Sequence, residues 1–555
     1  MNKFIKIFIL GVLILGVVAC SKDYLDVEPQ TTLLDQNFYK TEADFEMALI
    51  GCYDGWQRTT SNGSFSFYCA SEVMSDECFG GTGFADPRNY AAVDRFDISQ
   101  SPSDANIFNS LWVDYYAGVF RCNTLLQKLA AGGVEWESTS DSINNIISNR
   151  IEGETRVIRA LLYFDMVRLW GNIPLLTVPT TDNIPQADPT DVYQVIAEDL
   201  MFAAENIPAD AYPKSNSAKN DGRITRYAAK ALLARVYLYY TGYEDGAYDP
   251  EVVTKAEVLD GLEDVVANTE FGLISDYKNL WEPASSTPVQ DEYAFTSTYA
   301  GRGNKETILA QKFNDTQDYN GNLDGNRWLV MMGIRNLNAS PYGKGWGACT
   351  VHPKMWTAFE ASDTRRQASI INLETEGITS NTDYEASVKD QREYTGYTVK
   401  KYTPMSYYDG TTYTQQGAGD FQSSQSEDFV VMRYADVLLM AAELGSPNAQ
   451  SYFNQVRNRA FGGNAPAKVA TKEAIMQERM YEFAFEGQRY WDLLRQGVST
   501  AADVIADNVS VLSGNAPDEV VILSNNIIEK KGLSQIPKTQ ITAQNNVLIQ
   551  NHGWE

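Results

Sequence analysis

The chain contains very few histidines and cysteines. Its only histidines, His352 and His552, stand 200 positions apart, which disfavours histidine-based catalysis and a multi-histidine metal site. The cysteines apart from Cys20 are odd in number and include no C-x-x-C pair, namely Cys52, Cys69, Cys78, Cys122 and Cys349. A disulfide framework or a zinc site needs more, or more closely spaced, ligands. We therefore expect isolated and mostly buried thiols, with a Cys69–Cys78 pair as the alternative.

Positive charge is also scarce. There are 45 lysines and arginines against 72 acidic residues, and the formal net charge is −27. Such an acidic body is repelled by a phosphate backbone and by anionic lipid surfaces, so nucleic-acid binding is excluded. The apolar content of 44% and the aromatic content of 12% are sufficient for a sizeable core. A length of 555 residues favours several units or one large, elaborated domain.

Long hydrophobic runs are missing except at the start of the chain. Residues 7–19 form an apolar run that follows Lys3 and Lys6 and ends at Cys20, and it is too short for a membrane span. This pattern predicts a signal peptide at 1–19. Val17-Val18-Ala19-Cys20 resembles a bacterial lipobox, in which the cysteine receives acyl chains, including palmitate, that anchor the protein. The alternative is an ordinary secretory signal that happens to contain a cysteine.

The rest of the chain is predicted to be mainly α-helical, in three parts. Helical periodicity dominates 41–270, which we predict to be the first part of a helical scaffold after a lipidated tether at 20–40. Residues 271–427 are rich in glycine, polar residues and scattered aromatics, which indicates a loop-rich insert with short strands. Helices then return in 428–555, the predicted second part of the scaffold and the C-terminal segment.

Individual helices are marked by capping signals and by apolar spacing. Thr41 is predicted to cap a first helix together with Asp44, and Gly171 is predicted to end a later one. The predicted helices after the first cover 154–170, 190–207, 226–240, 428–442, 448–460 and 472–496.

Several segments, in this order, are similar to the SusD/RagB family of outer-membrane nutrient-binding lipoproteins of Bacteroidetes. The lipobox comes first, and the main segments after it are FYKTEADFEMALIGCYDGW, ALLYFDMVRLWGNIPLL, RYAAKALLARVYLYY, VVMRYADVLLMAAE, FNQVRNRA, ERMYEFAFEGQRYWDLLRQG and LSQIPKTQITAQNNVLIQNHGW. Residues 58–103 and 271–427 carry no match of this kind.

The resemblance implies a fold, a function and a partner. The fold is a mainly α, tetratricopeptide-like scaffold with a large, loop-rich, mixed insert. The function is non-enzymatic capture of oligosaccharides at the cell surface and their delivery to a SusC-like TonB-dependent transporter. Ser21-Lys22-Asp23 resembles part of the signal that sends such lipoproteins to the outer face of the outer membrane, although Tyr24 replaces an expected acid. The alternatives are a peptide-binding member of the family and a lipid-anchored glycan hydrolase.

The segment 478–492 carries paired carboxylates that invite an active-site interpretation. Glu478, Glu482 and Glu486 are spaced by four and share a helical face, with Arg479 and Arg489 nearby. We interpret them as ion pairs inside a helix pack. Other residues are interpreted as buried structural partners in the same way, namely Arg433, Asp436 and Glu443.

Sugar recognition requires aromatic faces that stack on the rings and polar groups that bind the hydroxyls. Residues 76–95 and 293–347 have this mixture among glycines. The candidate ligand-binding residues are Asp76, Arg88, Asn89, Tyr90, Tyr299, Trp328 and Trp346. We expect Trp328 and Trp346 to lie on loops outside the helical core, and the alternative is that each ring anchors its loop in the core.

No cofactor is predicted. The turn at 320–325 contains asparagine and aspartate and could hold a structural Ca²⁺, but it lacks the ligand register of an EF-hand. Ordinary turn chemistry is the better interpretation.

Overall fold

The computed structural model describes residues 38–61, 65–209, 222–289, 294–314, 325–408, 411, 413–415 and 421–555. The predicted signal peptide, Cys20 and nearly all of the tether lie outside these residues, and so does the 320–325 turn except for Gly325. Within the described part of the chain, no helix is both long enough and apolar enough to cross a bilayer.

Helices dominate the molecule. In chain order they are α1 (Glu42–Ser61), α2 (Phe67–Val73), α3 (Asn89–Val93), α4 (Asn109–Ala131), α5 (Asp141–Trp170), α6 (Pro189–Asn206), α7 (Arg226–Tyr240), α8 (Lys255–Ala267), α9 (Glu282–Ser285), α10 (Arg327–Met332), α11 (Pro353–Ala358), α12 (Arg365–Ser369), α13 (Tyr384–Asp390), α14 (Tyr434–Glu443), α15 (Ala449–Ala460), α16 (Lys472–Glu482), α17 (Arg489–Leu494), α18 (Val498–Ile505), α19 (Ser524–Glu529) and α20 (Lys538–Ala543). Short 3₁₀ turns cover Ser103–Ala105, Tyr243–Gly246, Tyr277–Leu280 and Ile378–Ser380.

The strands are short and lie mostly in the middle of the chain. They are β1 (Cys78–Gly80), β2 (Ser286–Pro288), β3 (Phe295–Ser297), β4 (Thr307–Gln311), β5 (Ile334–Arg335), β6 (Lys344–Gly345), β7 (Cys349–Val351), β8 (Ile370–Asn372), β9 (Tyr397–Val399), β10 (Ser406–Tyr408), β11 (Tyr413–Gln415), β12 (Phe429–Arg433), β13 (Asp507–Ser513) and β14 (Ala516–Ile522). One sheet has the order β1-β7-β9-β8, and the other pairings join two strands each.

The long helices pack against their neighbours in sequence. Helix α4 packs between α1 and α5, and the series continues through α6 and α7 to α8, which also contacts α14. A Cβ atom on Gly55 would lie 3.1 Å from the Cα atom of Gly118, so two small residues allow α1 and α4 to cross closely. This succession of paired helices confirms the predicted tetratricopeptide-like scaffold.

The predicted capping signals are present. The Thr41 hydroxyl accepts the Asp44 N–H at 3.2 Å, and the Asp44 carboxylate accepts the Thr41 N–H at 2.8 Å. Gly171 ends α5 with a positive φ of 66°. The helix that it ends begins at Asp141, well before the predicted start at 154.

Two predicted helices are interrupted. Residues 428–442 were predicted as one helix, but Phe429–Arg433 is strand β12, which pairs with β4, and the helix begins only at Tyr434. The β-branched residues Val430 and Val431 suit that strand. The predicted helix 472–496 breaks after Glu482, because Phe485 and Gly487 have positive φ values of 64° and 70°.

Candidate ligand-binding face

Three of the predicted ligand residues are buried. Trp328 is 0% exposed, and its ring packs against Tyr68 and Phe429 with centroid distances of 6.1 and 5.8 Å. The expectation that Trp328 lies outside the core is therefore wrong, because its ring completes an aromatic cluster. Tyr90 is 7% exposed and Asp76 is 5% exposed. Neither offers a face to a ligand, and Asp76 is bound by Arg489 at 2.8 and 3.1 Å.

The loop between β1 and α3 is tightly held at its start. Gly81 donates to the Ala348 carbonyl at 2.8 Å and Thr82 donates to the Gly347 carbonyl at 2.6 Å. A Cβ atom on Gly81 would lie 2.1 Å from the Gly347 oxygen, so only glycine fits this approach. The backbone at the start of this loop, Gly81 and Thr82, is therefore fixed to the segment 347–348.

Beyond this start the loop exposes an aromatic ring among polar side chains. Phe84 is 51% exposed, Asp86 and Arg88 are exposed, and Asn89 is half-buried. We call Phe84, Asp86, Arg88, Asn89 and Arg392 the Phe84 patch. An exposed aromatic ring with carboxylate, amide and guanidinium groups beside it has the composition of a sugar-binding platform.

Arginine side chains from the insert hold the patch in shape. Arg392 donates to the Phe84 carbonyl at 2.6 Å, and its guanidinium carbon is 6.0 Å from the Phe84 ring centroid. Burial lowers the pKa of Arg392, and the positive charge of Arg88 lowers it further. Arg335 lies 3.3 Å from Asp86 and donates to Asp390 at 2.8 Å. The patch is consequently formed before any ligand arrives.

Trp346, from the predicted stretch 293–347, is linked to the Phe84 patch by Arg335. The Arg335 guanidinium donates to the Trp346 carbonyl at 3.4 Å, and the Trp346 ring is half-buried against the core. Arg335 thus connects Trp346 to Asp86 of the Phe84 patch. Ligand contacts by Trp346, Arg88 and Asn89 stay predictions.

Tyr299 lies in a separate cleft. Its hydroxyl donates to the Glu427 carboxylate, and Arg302 donates to the Ser426 hydroxyl at 2.8 Å. Burial raises the pKa of Glu427 to about 7. The cleft has a free volume of about 20 Å³, which is room for one water molecule rather than a sugar. The Tyr299 side chain therefore connects its own loop to the segment 426–428. A ligand-binding role for Tyr299 stays a prediction.

The carboxylates of 478–492 form buried ion pairs, as predicted. Arg433 lies 2.7 Å from Glu306, 2.9 Å from Glu482 and 2.8 Å from Glu486. Other pairs of the same region are Arg365–Glu478, Arg479–Asp436, Arg479–Asp492, Arg489–Asp76 and Arg495–Glu443. These side chains fix helices to one another and leave no carboxylate open to a substrate.

The five cysteines of the described residues are free and buried, which confirms the prediction of buried thiols without a Cys69–Cys78 disulfide, although not all of them are isolated. Cys69 and Cys349 approach to 3.7 Å between their sulfur atoms. In that same part of the chain, no group of three or more histidine, cysteine or acidic side chains is arranged to hold a metal ion.

Sequence reasoning did not find Arg335, Arg392 or the hairpin β13–β14, whose tip touches Phe84. A methyl group on Gly514 would lie 3.0 Å from the Phe84 ring. The Gly514-Asn515 pair between two alternating segments is a hairpin signal that could have located this tip. Its proximity to Phe84 depends on tertiary structure that no local pattern reveals.

Family models match both halves of the chain. A model described as the SusD family matches residues 305–554, and one described as starch-binding associating with outer membrane, a SusD-like model, matches residues 23–238. The chain belongs to the SusD family. SusD-like protein P2 of Formosa agariphila is 27% identical over 519 residues, covering 89% of this chain and 91% of that protein. A SusD-like protein of Bacteroides ovatus is 25% identical, covering 88% and 82%.

Solved structures of SusD-like proteins share the fold over nearly the whole chain. A laminarin binding SusD-like protein is 25% identical with a TM-score of 0.70, and the match covers 93% of this chain and all of that one. Surface glycan-binding protein A from Bacteroides thetaiotaomicron, in complex with laminarihexaose, has a TM-score of 0.72 at 21% identity, with coverage of 92% and 100%. Their helical architecture agrees with the scaffold of this SusD-family chain.

Proposed function

We propose that the protein is a non-enzymatic, lipid-anchored surface protein that binds oligosaccharides at the Phe84 patch and delivers them to a SusC-like TonB-dependent transporter. The observation that carries the proposal is the exposed ring of Phe84 on a loop that is already held in place by Arg392 and Arg335. A fixed ring loses little conformational entropy when a sugar stacks on it.

The chemistry of the patch suits a sugar ring. Its apolar face can lie on Phe84, while the hydroxyl groups find acceptors on Asp86 and Asn89 and a donor on Arg88. The names of similar proteins support this ligand class, since one solved relative is described as laminarin binding and one matching family model as starch-binding.

The two alternatives receive less support. A peptide-binding member of the family is expected to have a deeper, occluded cavity, whereas Phe84 lies on an open surface. A glycan hydrolase needs two carboxylates on either side of the scissile bond, one of them a proton donor. Asp86 of the patch and the neighbouring Asp390 both pair with Arg335.

Affinity electrophoresis tests the proposal. The wild type should be retarded in native gels that contain a neutral polysaccharide, with laminarin and starch as the first probes, and Phe84→Ala should migrate as it does without polysaccharide. Loss of one stacked aromatic ring is worth roughly 1–3 kcal/mol, taking base stacking as a guide, which reduces a weak affinity below detection.

Phe120→Ala is a matched control. Phe120 is 46% exposed, close to the 51% of Phe84, but it lies on the scaffold helix α4. This variant should be retarded as strongly as the wild type. Equal retardation of Phe84→Ala would place the site elsewhere, and Trp346→Ala would then be the next variant to measure. A wild type that no neutral polysaccharide retards would contradict glycan binding itself.

A further inference from the structure

The hairpin β13–β14 extends away from the Phe84 patch. Its strands pair fully from Asp507–Ile522 to Ser513–Ala516, and the two tip residues, Gly514 and Asn515, have positive φ values of 60° and 63°. Two such residues form the tight turn that suits a two-residue hairpin. The structure thus contains a rigid hairpin whose tip rests on the Phe84 ring.

A single segment of the insert connects the patch to the hairpin. The Asp390 carbonyl accepts the Phe84 N–H at 2.8 Å, and the Gln391 carbonyl accepts the Gly514 N–H at 3.0 Å. Three residues after Gln391, Tyr394 exchanges backbone hydrogen bonds of 2.7 and 3.0 Å with Leu512. Segment 390–394 therefore fixes the hairpin relative to Phe84.

An open groove continues from this junction. It has a volume of about 740 Å³, within the range of small-ligand sites, and it is lined by Tyr394, Thr395 and residues of both hairpin strands. The first four residues of β14 are all exposed, although a strand packed on one face alternates buried and exposed positions. This half of the hairpin consequently projects as a wall instead of covering a core.

The groove has the chemistry of a neutral, hydroxyl-rich ligand. Its eight described lining residues include Tyr394, two hydroxyl residues and the exposed carboxylates of Asp518 and Glu519, and none of the eight is basic. Carboxylates accept hydrogen bonds from sugar hydroxyls and repel uronate or sulfate groups.

We propose that this groove is an extension subsite for neutral oligosaccharides, in which a chain with one unit stacked on Phe84 continues across the surface formed by Tyr394 and the hairpin. The proposal rests on the proposed function, because its occupant is the same ligand. Only chains longer than the unit on Phe84 can reach Asp518 and Glu519, so their contribution should depend on chain length.

The test compares ligand lengths in the double variant Asp518→Ala/Glu519→Ala. With isothermal titration calorimetry on laminarihexaose and maltohexaose, we expect the hexasaccharide that the wild type binds to bind the variant about fivefold to tenfold more weakly, the loss of one or two ordinary hydrogen bonds. The disaccharide of the same linkage should bind both proteins equally. The matched control is Glu137→Ala/Asp182→Ala, which removes two exposed carboxylates from the scaffold.

Each outcome decides one question. Equal hexasaccharide affinity in the hairpin variant, with loss in Phe84→Ala, would overturn the extension subsite and leave the proposed function intact. The acids would then serve to protect the edge of β14 from pairing with other strands. A wild type that binds an anionic polysaccharide such as alginate more tightly than neutral chains would contradict the charge argument. If the wild type binds no glycan, both proposals fail.

Discussion

The glutamate Glu72 should make the stability of this protein depend on pH in the neutral range. Its side chain lies in the core, where one carboxyl oxygen accepts the N–H of Gly487. Glu77 accepts the N–H of Phe485 at 2.9 Å from the same side. The two carboxyl groups therefore hold the turn 483–488 that separates α16 from α17.

Burial is the main reason why the pKa of Glu72 rises to about 8, against the lowering effect of the Gly487 N–H and of Lys401. Burial also raises the pKa of Glu77, and the neighbouring Glu72 adds to that rise. A carboxyl group with a raised pKa in the folded state stabilises the fold fully below its unfolded pKa. That stability is lost as the pH rises towards 8.

The size of this stability loss follows from the pH interval over which Glu72 titrates. Each pKa unit corresponds to 1.36 kcal/mol, so between pH 5.5 and 8 the titration of Glu72 lowers the free energy of unfolding by about 3 kcal/mol. A folded body of this size has an unfolding entropy on the order of 1 kcal/mol per kelvin, so the melting temperature should fall by roughly 3 °C. Glu72→Gln keeps the acceptor for Gly487 and removes the titration.

The assay is calorimetry of both proteins at pH 5.5 and pH 8.5. Glu72→Gln should melt close to the wild type at pH 5.5 and about 3 °C above it at pH 8.5. Glu385→Gln is the control, because its side chain is 85% exposed. If the difference between Glu72→Gln and the wild type is the same at both pH values, Glu72 is already ionised in the folded protein and the reasoning is refuted.

Three further predictions concern the core, the ion pairs and the anchor. Trp328→Ala should lower the free energy of unfolding by about 3–5 kcal/mol, because it empties a fully buried site. Urea unfolding measures this loss, with Phe84→Ala as the comparison. Equal unfolding midpoints for the two variants would show that Trp328 is not a core residue. Arg433→Met removes the cation that Glu306, Glu482 and Glu486 share, so the free energy of unfolding should fall by about 3–5 kcal/mol. A loss below about 1 kcal/mol in urea unfolding would contradict this prediction. Cys20→Ser should abolish palmitate incorporation and detergent-phase partitioning, and a variant that still partitions would disprove the lipobox interpretation.

The helices could be predicted where a local signal defines them. Thr41 with Asp44, and Gly171 after α5, are capping residues whose effect extends over one turn, and the structure uses both signals. Residues 429–433 could not be assigned from the sequence alone, because their strand pairs with Thr307–Gln311, more than 100 positions away. Periodicity within 428–442 carries no information about that partner.

The candidate site was predictable in part for a similar reason. The composition of 76–95 indicated aromatic rings among polar residues and glycines, but it did not distinguish Phe84, which is exposed on the loop between β1 and α3, from Tyr90, which is buried in α3. Trp328 was misplaced because an aromatic residue among polar ones has the same local appearance in a loop and in a short buried helix. Arg392 and Gly514 belong to the site only through contacts with distant segments.

The packing of α2 constrains the order in which the chain can fold. Its Ser71 accepts the indole N–H of Trp491 at 2.9 Å, and Phe67 stacks on the same ring with a centroid distance of 5.2 Å. The Ser71–Trp491 pair spans 420 positions of the chain. Contacts of such high sequence separation form late and slow folding. Until residue 491 has been synthesised, α2 therefore lacks a packing partner and leaves apolar surface uncovered, which favours aggregation of an incomplete chain.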